Sequence, residues 1–456
     1  MHVEGDLPFG LVFPEAGETH RSHFEAAPFP VRSRGVEGAA NEQAQQRQPH
    51  PTQNSHGGQA TKSGREWFCN AEFNLTLSGP VRANNRSPLP GRLLNVAREM
   101  AWQLWPALSP TDRLLVPNPP PAEYLDYLTS LGFELPDFGV KPDLKRTFTA
   151  FGWNPEAAEL NQNYSHPSPH PKLEIVARVN SREFTLLLEQ ELFPENRVEP
   201  ESVFCRTVDE LTRWLETASA KRWVAKGNHG HAGIGQHRFS LPDEKQLASP
   251  VLTRILETQG GLVLEPEHRI NVEFGCLFYL QGNGTLSGLK SHRLLSYSGG
   301  GFAGSLLTPN DAEFSKWESK IGTAARQIGS KLHQEGYFGP VGIDMYAWQD
   351  RDELLFRSLV DLNARCSMAY PVHGLAQRFP NRSILVSQVP ATIALPRTPA
   401  ELKEKLGEHH FDPQTRTGAF LTTPLMPGSR RHAWAFIGKT ETDLQIMRDH
   451  VYRIFA

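Results

Sequence analysis

Two stretches of the sequence decide the fold: GYFGPVGIDMY at residues 336–346 and LLFRSLVDLNAR at residues 354–365. Both are mostly apolar and a short polar turn separates them, which predicts a β-hairpin. Asp361 and Asn363 are two residues apart on the second strand, so they share one face of the sheet. If the strands pair, Asp344 lies beside them. Two carboxylates and an amide oxygen are ligands that Mg²⁺ favours, together with phosphates and water.

The two aspartates have another interpretation, because Arg357 and Arg365 lie on the same stretch of chain. Asp344 and Asp361 could simply pair with these arginines. A buried carboxylate is costly without a partner, so either interpretation needs one. We favour the metal site, because ionised carboxylates buried in strands mark functional sites more often than not.

A glycine-rich segment, KGNHGHAGIGQHRF at residues 226–239, follows a predicted strand that ends near Lys226. Its glycines are Gly227, Gly230, Gly233 and Gly235. Glycines allow tight turns and bring backbone N–H groups close to an anion. No GK[ST] follows, and the next residues are strand-like, so the segment is neither a P-loop nor a dinucleotide-binding motif. The pattern predicts a hairpin flap over phosphates, or a turn without a ligand.

Two further segments carry candidate polar groups. In GLVLEPE (261–267) an apolar strand ends at Glu265 and Glu267 follows, which predicts either a hinge for adenine and ribose or an ordinary strand end. Glu273 interrupts the apolar run 270–280, which indicates a partner or a ligand. In GLKSHRLLSYSGGGFAG (288–304) a basic cluster precedes glycines, which predicts a substrate loop or a solvated turn. The cluster consists of Lys290, His292 and Arg293.

Patterning along the chain predicts four regions. They are a disordered segment over 1–65, a small α/β domain over 66–172, the region with the candidate site over 173–380, and an α/β extension over 381–456. The first region is polar and nearly free of large apolar groups. The second contains a helix over 89–108, a strand near 112–116 and a helix from Pro121, an order typical of a parallel sheet.

Local patterns within the central region predict further elements. Leu173 to Val179 alternates like a strand, and Ser181 can cap a helix that ends near Leu192. Residues 154–172 are a predicted connector.

Composition excludes several classes of protein. The net charge is −3 with acids and bases nearly balanced, which argues against nucleic-acid binding. No apolar run reaches the ~18 residues of a membrane span, and the N-terminus lacks the features of a secretory signal. The four cysteines are scattered without a CxxC pair, as expected for a protein of the reducing cytosol.

The order of the main segments resembles the ATP-grasp superfamily. The resemblance covers roughly residues 173–380 and rests on the Lys226 strand with its flap, the hinge at 264–266, and the strands carrying Asp344 and Asp361. The upstream unit resembles the domain that precedes ATP-grasp in several bacterial ligases. The resemblance therefore implies an α/β and α+β fold class: an ATP-grasp fold preceded by a small doubly wound parallel-sheet domain.

The resemblance also implies roles for individual residues. The implied nucleotide-binding residues are Arg182, Lys226, Gly233, Gly235, Glu265, Glu267 and Glu273. The implied magnesium ligands are Asp344, Asp361 and Asn363. The implied catalytic residues are Lys290, Arg293 and Arg365. The superfamily usually has Glu at the position of Asp361 and often Lys at that of Arg182, although arginine also binds phosphate well.

Members of this superfamily activate a carboxylate as an acyl phosphate, which an amine or thiol then attacks. The resemblance thus implies a cytoplasmic ligase with ATP and Mg²⁺ as cofactors. Its substrates would be a small-molecule or peptide carboxylate and an amine, and it could form a homo-oligomer. A non-catalytic ATP-binding regulatory module, and an ATP-grasp carboxylase or phosphotransferase, are the alternatives.

Overall fold

A computed structural model describes residues 64–77, 99–196, 201–217, 220–231, 234–240, 250–297, 300–389, 396–426 and 432–455. The chain divides into two units, Met1–Lys62 and Ser63–Ala456, and all of the described residues belong to the second. The predicted disordered segment lies outside the described residues up to residue 63. Gly233 and residues 89–98 of the predicted first helix lie outside them as well.

The first part of the described chain contains a parallel sheet. Its strands are β1 (Arg65–Phe68), β2 (Arg113–Leu115), β3 (Asp137–Gly139) and β4 (Thr147–Ala150), in the order β3-β2-β1-β4. The α-helices described here are α1 (Phe73–Leu77), α2 (Ala122–Ser130) and α3 (Pro155–Gln162). Leu114 and Phe148 are buried on this sheet. The predicted parallel-sheet unit is thus confirmed.

A second sheet, of four antiparallel strands, contains the glycine-rich hairpin. Its strands are β5 (Val203–Cys205), β6 (Arg222–His231), β7 (Ile234–Ser240) and β8 (Leu262–Pro266), in the order β5-β8-β6-β7. Two helices, α6 (Val208–Thr217) and α7 (Pro250–Gln259), pack against one face of this sheet. Trp223 and Ala225 point into that layer, so Lys226 points to the other face. The predicted hairpin is confirmed.

The third sheet has eight antiparallel strands in the order β13-β12-β9-β10-β11-β14-β16-β15. The strands are β9 (Ile270–Leu280), β10 (Leu286–Ser296), β11 (Phe302–Leu307), β12 (Gly339–Asp350), β13 (Glu353–Asn363), β14 (Ser383–Val389), β15 (Gly418–Leu421) and β16 (His432–Gly438). The remaining helices are α4 (Leu173–Val179), α5 (Arg182–Leu192), α8 (Ala312–Gln334), α9 (Tyr370–Arg378), α10 (Pro399–Leu406) and α11 (Glu441–Phe455). Parallel and antiparallel sheets with helices confirm the predicted fold class.

The two faces of the eight-stranded sheet differ in character. Phe274 and Ile343 belong to an apolar core with Trp317 of α8. Their sequence neighbours Gly275 and Asp344 lie on the opposite face, since side chains alternate along a strand. The apolar face therefore anchors the sheet and leaves the polar face available for a site.

Three sequence predictions about local structure are wrong. Leu173–Val179 is a helix, because its apolar residues also recur at a spacing of three and such short runs are ambiguous. The described end of the predicted helix over 89–108 forms a 3₁₀ helix, Ala101–Ala107, which contains Pro106. The predicted connector over 154–172 includes α3, whose first turn Asn154 caps.

Among the described residues no helix is long and apolar enough to cross a membrane. All four cysteines are buried, and none of them forms a disulfide bond.

Ser181 caps α5 as predicted, since its hydroxyl accepts a hydrogen bond from the backbone N–H of Phe184 at 3.1 Å. Ser181→Ala is expected to lower the free energy of unfolding by about 1 kcal/mol, because that N–H loses its acceptor. Ser181→Thr retains the hydroxyl and should cost much less. Urea unfolding followed by circular dichroism measures both variants, and equal losses would contradict the capping role.

Candidate active site

Asp344 and Asp361 lie directly opposite each other on β12 and β13. The next pair toward the end of β13 is Gly342 opposite Asn363, so Asp361 and Asn363 share a face with Asp344. The predicted hairpin therefore brings the three candidate metal ligands together.

The proximity of two carboxylates has an electrostatic consequence. Burial raises the pKa of Asp344 to about 7, and the neighbouring Asp361 contributes in the same direction. Arg365 and Lys226 lower this pKa but do not outweigh burial. Asp344 is therefore close to half protonated at neutral pH, and a cation placed between the two carboxylates would stabilise the charged form.

Arg365 holds the amide of Asn363 and connects it to the first part of the chain. Its Nη2 donates to Oδ1 of Asn363 at 2.7 Å, and its Nε donates to Oδ1 of Asn74 at 2.9 Å. The Nδ2 of Asn74 in turn donates to the backbone oxygen of Gly230 in the glycine-rich hairpin, at 3.3 Å. The guanidinium also lies 5.4 Å from the ring centroid of Phe151. Arg365 thus connects the sheet site, the hairpin and the parallel-sheet unit.

Arg182, the first residue of α5, lies between the hairpin and the carboxylates. Its Nη1 donates to the backbone oxygen of Gly227 at 2.5 Å, and its Nη2 lies 3.3 Å from Oδ2 of Asp361. The side chain is buried. A guanidinium in this place offers a planar set of donors to an anion that enters between hairpin and sheet.

Lys226 belongs to a buried chain of charges that links the two antiparallel sheets. It forms an ion pair with Glu265, which lies diagonally across β6 and β8. Glu265 also accepts from Nη1 of Arg357 on β13 at 3.0 Å. Arg357 binds Glu189 of α5 through two hydrogen bonds of 2.7 Å each. Burial favours the neutral acid, yet Lys226 and Arg357 prevail and lower the pKa of Glu265 to about 2.

Tyr346 and His268 extend this charged chain to the hinge after β8. Nη1 of Arg357 donates to the hydroxyl of Tyr346 at 3.1 Å, and that hydroxyl lies 2.8 Å from Nδ1 of His268. The His268 ring stacks on Trp348 with centroids 3.9 Å apart. Burial lowers the pKa of His268 to about 4, so the stacked ring is neutral. A flat aromatic surface therefore lies beside the predicted adenine hinge.

The other predicted nucleotide residues lie around this centre. Glu267 pairs with Nε of Arg222 at 2.7 Å and with Nε of Arg238 at 3.0 Å, so its carboxylate is engaged at the edge of the small sheet. Glu273 lies opposite Tyr346 on the site face, and burial raises its pKa. Gly235 adopts a φ of 80° at the start of β7, a conformation that favours glycine.

Arg293 does not lie with the carboxylates. It faces Phe274 across β9 and β10 and therefore points to the apolar face of the sheet. There its Nη1 lies 3.2 Å from Asp311, which caps α8, and 2.8 Å from Glu441 in the first turn of α11. Arg293, which the resemblance implies as a catalytic residue, thus lies on the face opposite Asp344, where it ties two helix N-termini to the sheet.

Lys290 and His292 do share the site face. His292 lies opposite Gly275, which lies opposite Asp344, and Lys290 is two residues from His292 on the same strand. Burial lowers the pKa of Lys290. The predicted basic cluster is therefore divided between two faces, with Lys290 and His292 toward the site.

The donor set can be tested for magnesium. No group of three or more His, Cys, Asp and Glu side chains within the described ranges is arranged to hold a metal ion. The set consists instead of two half-buried carboxylates and one amide oxygen. Mg²⁺ is usually held by one or two carboxylates together with substrate phosphates and water. The residues therefore fit an ion that is shared with a nucleotide, and they do not form a complete protein cage.

Several side chains of the site were missed by the sequence interpretation. They are Asn74, Glu189, His268, Tyr346 and His373. Asn74, Glu189, His268 and His373 contact partners that are distant in sequence, so no local spacing indicates them. Tyr346 contacts Arg357 on the neighbouring strand of the same hairpin. Asn74 belongs to the upstream unit whose sequence resembles the domain that precedes ATP-grasp.

No protein-family model matches the sequence, and no curated protein matches it. Among solved structures, the chain is similar to N5-carboxyaminoimidazole synthetase from Staphylococcus aureus complexed with ADP: 11% identity, TM-score 0.46, 76% of this chain and 90% of that one. It is also similar to N5-carboxyaminoimidazole ribonucleotide synthetase from Thermus thermophilus: 15% identity, TM-score 0.47, with 79% and 96% covered.

A third similar structure is biotin carboxylase from Campylobacter jejuni in its β-γ-ATP complex, at 10% identity and TM-score 0.45, with 67% of this chain and 74% of that one covered. These structural neighbours are ATP-grasp enzymes, the superfamily that the sequence resembles. Likenesses of this size do not bear on activity, so the case for a function rests on the residues of the site.

Asp344→Asn is expected to stabilise the metal-free protein above neutral pH. An acid whose pKa is raised on folding binds protons more tightly in the folded state, so stability falls as pH rises from about 4 through 7. The free energy of unfolding of the variant should exceed that of the parent by on the order of 2 kcal/mol at pH 8, and the two should be almost equal near pH 4. Thermal unfolding in EDTA across this range measures the difference. The exposed Asp352→Asn is the control, and a gain independent of pH would contradict the assignment.

Arg357→Met is expected to destabilise the protein by about 3–5 kcal/mol, because Glu189 and Glu265 lose a buried partner. Adding Glu189→Gln to this variant should restore part of the loss, since one unpaired charge is removed. Urea unfolding measures these changes. The exposed Arg326→Met should stay within about 0.5 kcal/mol of the parent. A loss of similar size in both arginine variants would contradict the role of the buried chain.

Proposed function

We propose that this protein is an ATP- and Mg²⁺-dependent enzyme that activates a carboxylate as an acyl phosphate, for attack by an amine or a thiol. One observation carries the proposal: Asp344 and Asp361 face each other on a sheet surface that three cationic side chains approach. Arg182 contacts Asp361, Arg365 holds Asn363, and Lys226 is close enough to lower the pKa of Asp344. Paired acids surrounded by cations are the arrangement that a metal–triphosphate complex requires.

The chemistry of phosphoryl transfer agrees with this set of residues. Such reactions depend on positioning and on neutralising charge, and they need little covalent participation by the protein. Asp344, Asp361 and Asn363 would hold Mg²⁺, which when bound neutralises charge on the phosphate oxygens. Arg182 is placed to donate to a phosphate that lies between the hairpin and α5.

Lys226 and the hinge suggest where the rest of a nucleotide would lie. Lys226 points from the hairpin toward Glu265, so a phosphate placed there gains a cation that is already buried. The neutral His268 ring on Trp348 offers an apolar surface to an adenine next to the backbone of Glu267. Arg365, which is held by Asn74, would bind a substrate carboxylate.

A second candidate function is a regulatory ATP-binding module without turnover. It is favoured by one observation: Asp361 and Asn363 already have guanidinium partners, Arg182 and Arg365. These contacts stabilise the Asp361 carboxylate and the Asn363 amide without a metal. In such a module ATP would bind, and no carboxylate would stimulate its hydrolysis.

The test is release of ADP from ATP and Mg²⁺ in the presence of single carboxylates, namely the twenty amino acids and bicarbonate. We expect at least one amino acid to stimulate ADP release. Asn363→Ala and Asp361→Asn should each reduce that rate by more than about a hundredfold, because residues that only support a ligand already cost 10–100-fold. The exposed Asp352→Asn is the matched control and should keep the parental rate.

The remaining outcomes separate the alternatives. Calorimetric ATP binding without stimulated ADP release by any carboxylate would favour the regulatory module. Stimulation by bicarbonate alone would indicate a carboxylase. Full activity of Asn363→Ala would refute the proposed site.

A further inference from the structure

A buried pair of histidines lies next to the acids and has no part in the function proposed above. His292 is on β10 and His373 is on α9, and both side chains are buried. Nδ1 of His292 lies 3.1 Å from Nε2 of His373. One ring nitrogen of each histidine is thus committed to the other, which leaves Nε2 of His292 and Nδ1 of His373 for other contacts.

The sheet aims His292 at the candidate site. His292, Gly275 and Asp344 occupy one row across β10, β9 and β12, with side chains on the same face. The His292 ring lies over Gly275, because a Cβ built on that glycine would be 2.2 Å from Nε2 of His292. Asp344 is the residue paired with Gly275 on its other side, so the ring extends along this row toward Asp344. Any larger residue at 275 would displace the ring.

The surroundings keep this pair uncharged. Burial lowers the pKa of His292 well below its usual value, and the neighbouring His373 ring lowers it further. Burial also lowers the pKa of His373 to about 3, and the neighbouring Lys290 contributes in the same direction. Asp344 faces His292 from beyond Gly275. A neutral imidazole with one nitrogen held by a second imidazole can accept a proton at the other nitrogen.

We propose that His292 accepts the proton of the attacking amine, and that His373 positions it. The inference rests on the proposed function. As the amine nitrogen bonds to the acyl carbon, the bond from that carbon to the phosphate oxygen breaks and inorganic phosphate leaves. The proton lost by the amine nitrogen goes to Nε2 of His292. The Nδ1–H of His292 then donates a hydrogen bond to Nε2 of His373. The step changes no oxidation state and requires no further reactant.

This arrangement also assigns a class of nucleophile. A primary amine attacks as the free base, and its nitrogen then carries a proton that must leave as the C–N bond forms, so the step gains from an acceptor in the site. Hydroxylamine is a much weaker base, so its adduct gives up that proton readily to water. The two nucleophiles therefore separate formation of the acyl phosphate from the proton transfer.

The experiment compares His292→Asn and His292→Gln with the parent enzyme. The Asn variant keeps a polar atom near the position of Nδ1, toward His373, and removes Nε2. The Gln variant extends a polar atom toward the position of Nε2. The reactions contain ATP, Mg²⁺ and, as the carboxylate, the amino acid that best stimulates ADP release. Hydroxylamine is added to one series, in which the hydroxamate is measured. Each of the twenty amino acids is added as the amine to a second series, in which the amide is measured.

We expect His292→Asn to reduce amide formation by about 10²–10⁴-fold, the usual contribution of general acid–base catalysis, with a much smaller effect on the hydroxamate. His292→Gln should show a similar loss, because its amide fills the space toward Nε2 but cannot accept a proton. His373→Gln, which keeps a polar atom near Nε2, should lie between parent and His292→Asn. The exposed His333→Asn is the matched control and should behave as the parent.

Other results overturn the inference. A proportional loss of amide and hydroxamate would mean that the histidines only support the fold, and unfolding temperatures of all variants identify that case. If His292→Asn does not fold, His373→Gln takes its place in the test. An amide-to-hydroxamate ratio equal to that of the parent would then also mean that the histidines only support the fold. A parent enzyme that makes hydroxamate but couples no amine refutes the inference and leaves the proposed function intact, whereas a parent without either product refutes the proposed function itself.

Discussion

The repulsion between Asp344 and Asp361 is the constraint on which the site depends. The strand pairing places the two acids directly opposite each other, where like charges are unfavourable. Two features reduce this cost: burial, and after it Asp361, raises the pKa of Asp344 toward neutrality, and Arg182 contacts Asp361. Both features leave the site poised for a cation. A site that is costly without its ligand is a common property of functional centres.

The alternation of side chains on β9, β10 and β12 then determines which residues of these strands face the site and which face the core. One face anchors the sheet on α8 through Phe274 and Trp317, and Arg293 belongs to this face. The other face collects the titratable groups Asp344 and His292. Because the sorting follows from backbone geometry, two adjacent basic residues have unrelated surroundings: His292 faces the acids, and Arg293 holds helices.

The hairpin of Asp344 and Asp361 was predictable because its strands adjoin in sequence and a short turn fixes their register. The same holds for the glycine-rich hairpin and for the cap at Ser181. The side of the sheet occupied by Arg293 also follows from alternation, once β10 is recognised as a strand. In contrast, the bonds that Glu189 and His373 make join elements far apart in sequence, so only tertiary packing reveals them. Short apolar runs such as 173–179 satisfy two periods at once.

The buried chain of charges would let Lys226 take the phosphate proposed for it without destabilising the two sheets. If Lys226 were the only partner of Glu265, an anion that drew it away would leave a buried carboxylate unpaired, at a cost of several kcal/mol. Arg357 prevents this, because it remains bound to Glu265 at 3.0 Å and is itself fixed by two bonds to Glu189. The contact between the sheets is thus retained by an arginine that stays in place. Lys226 can therefore exchange one anionic partner for another at low cost.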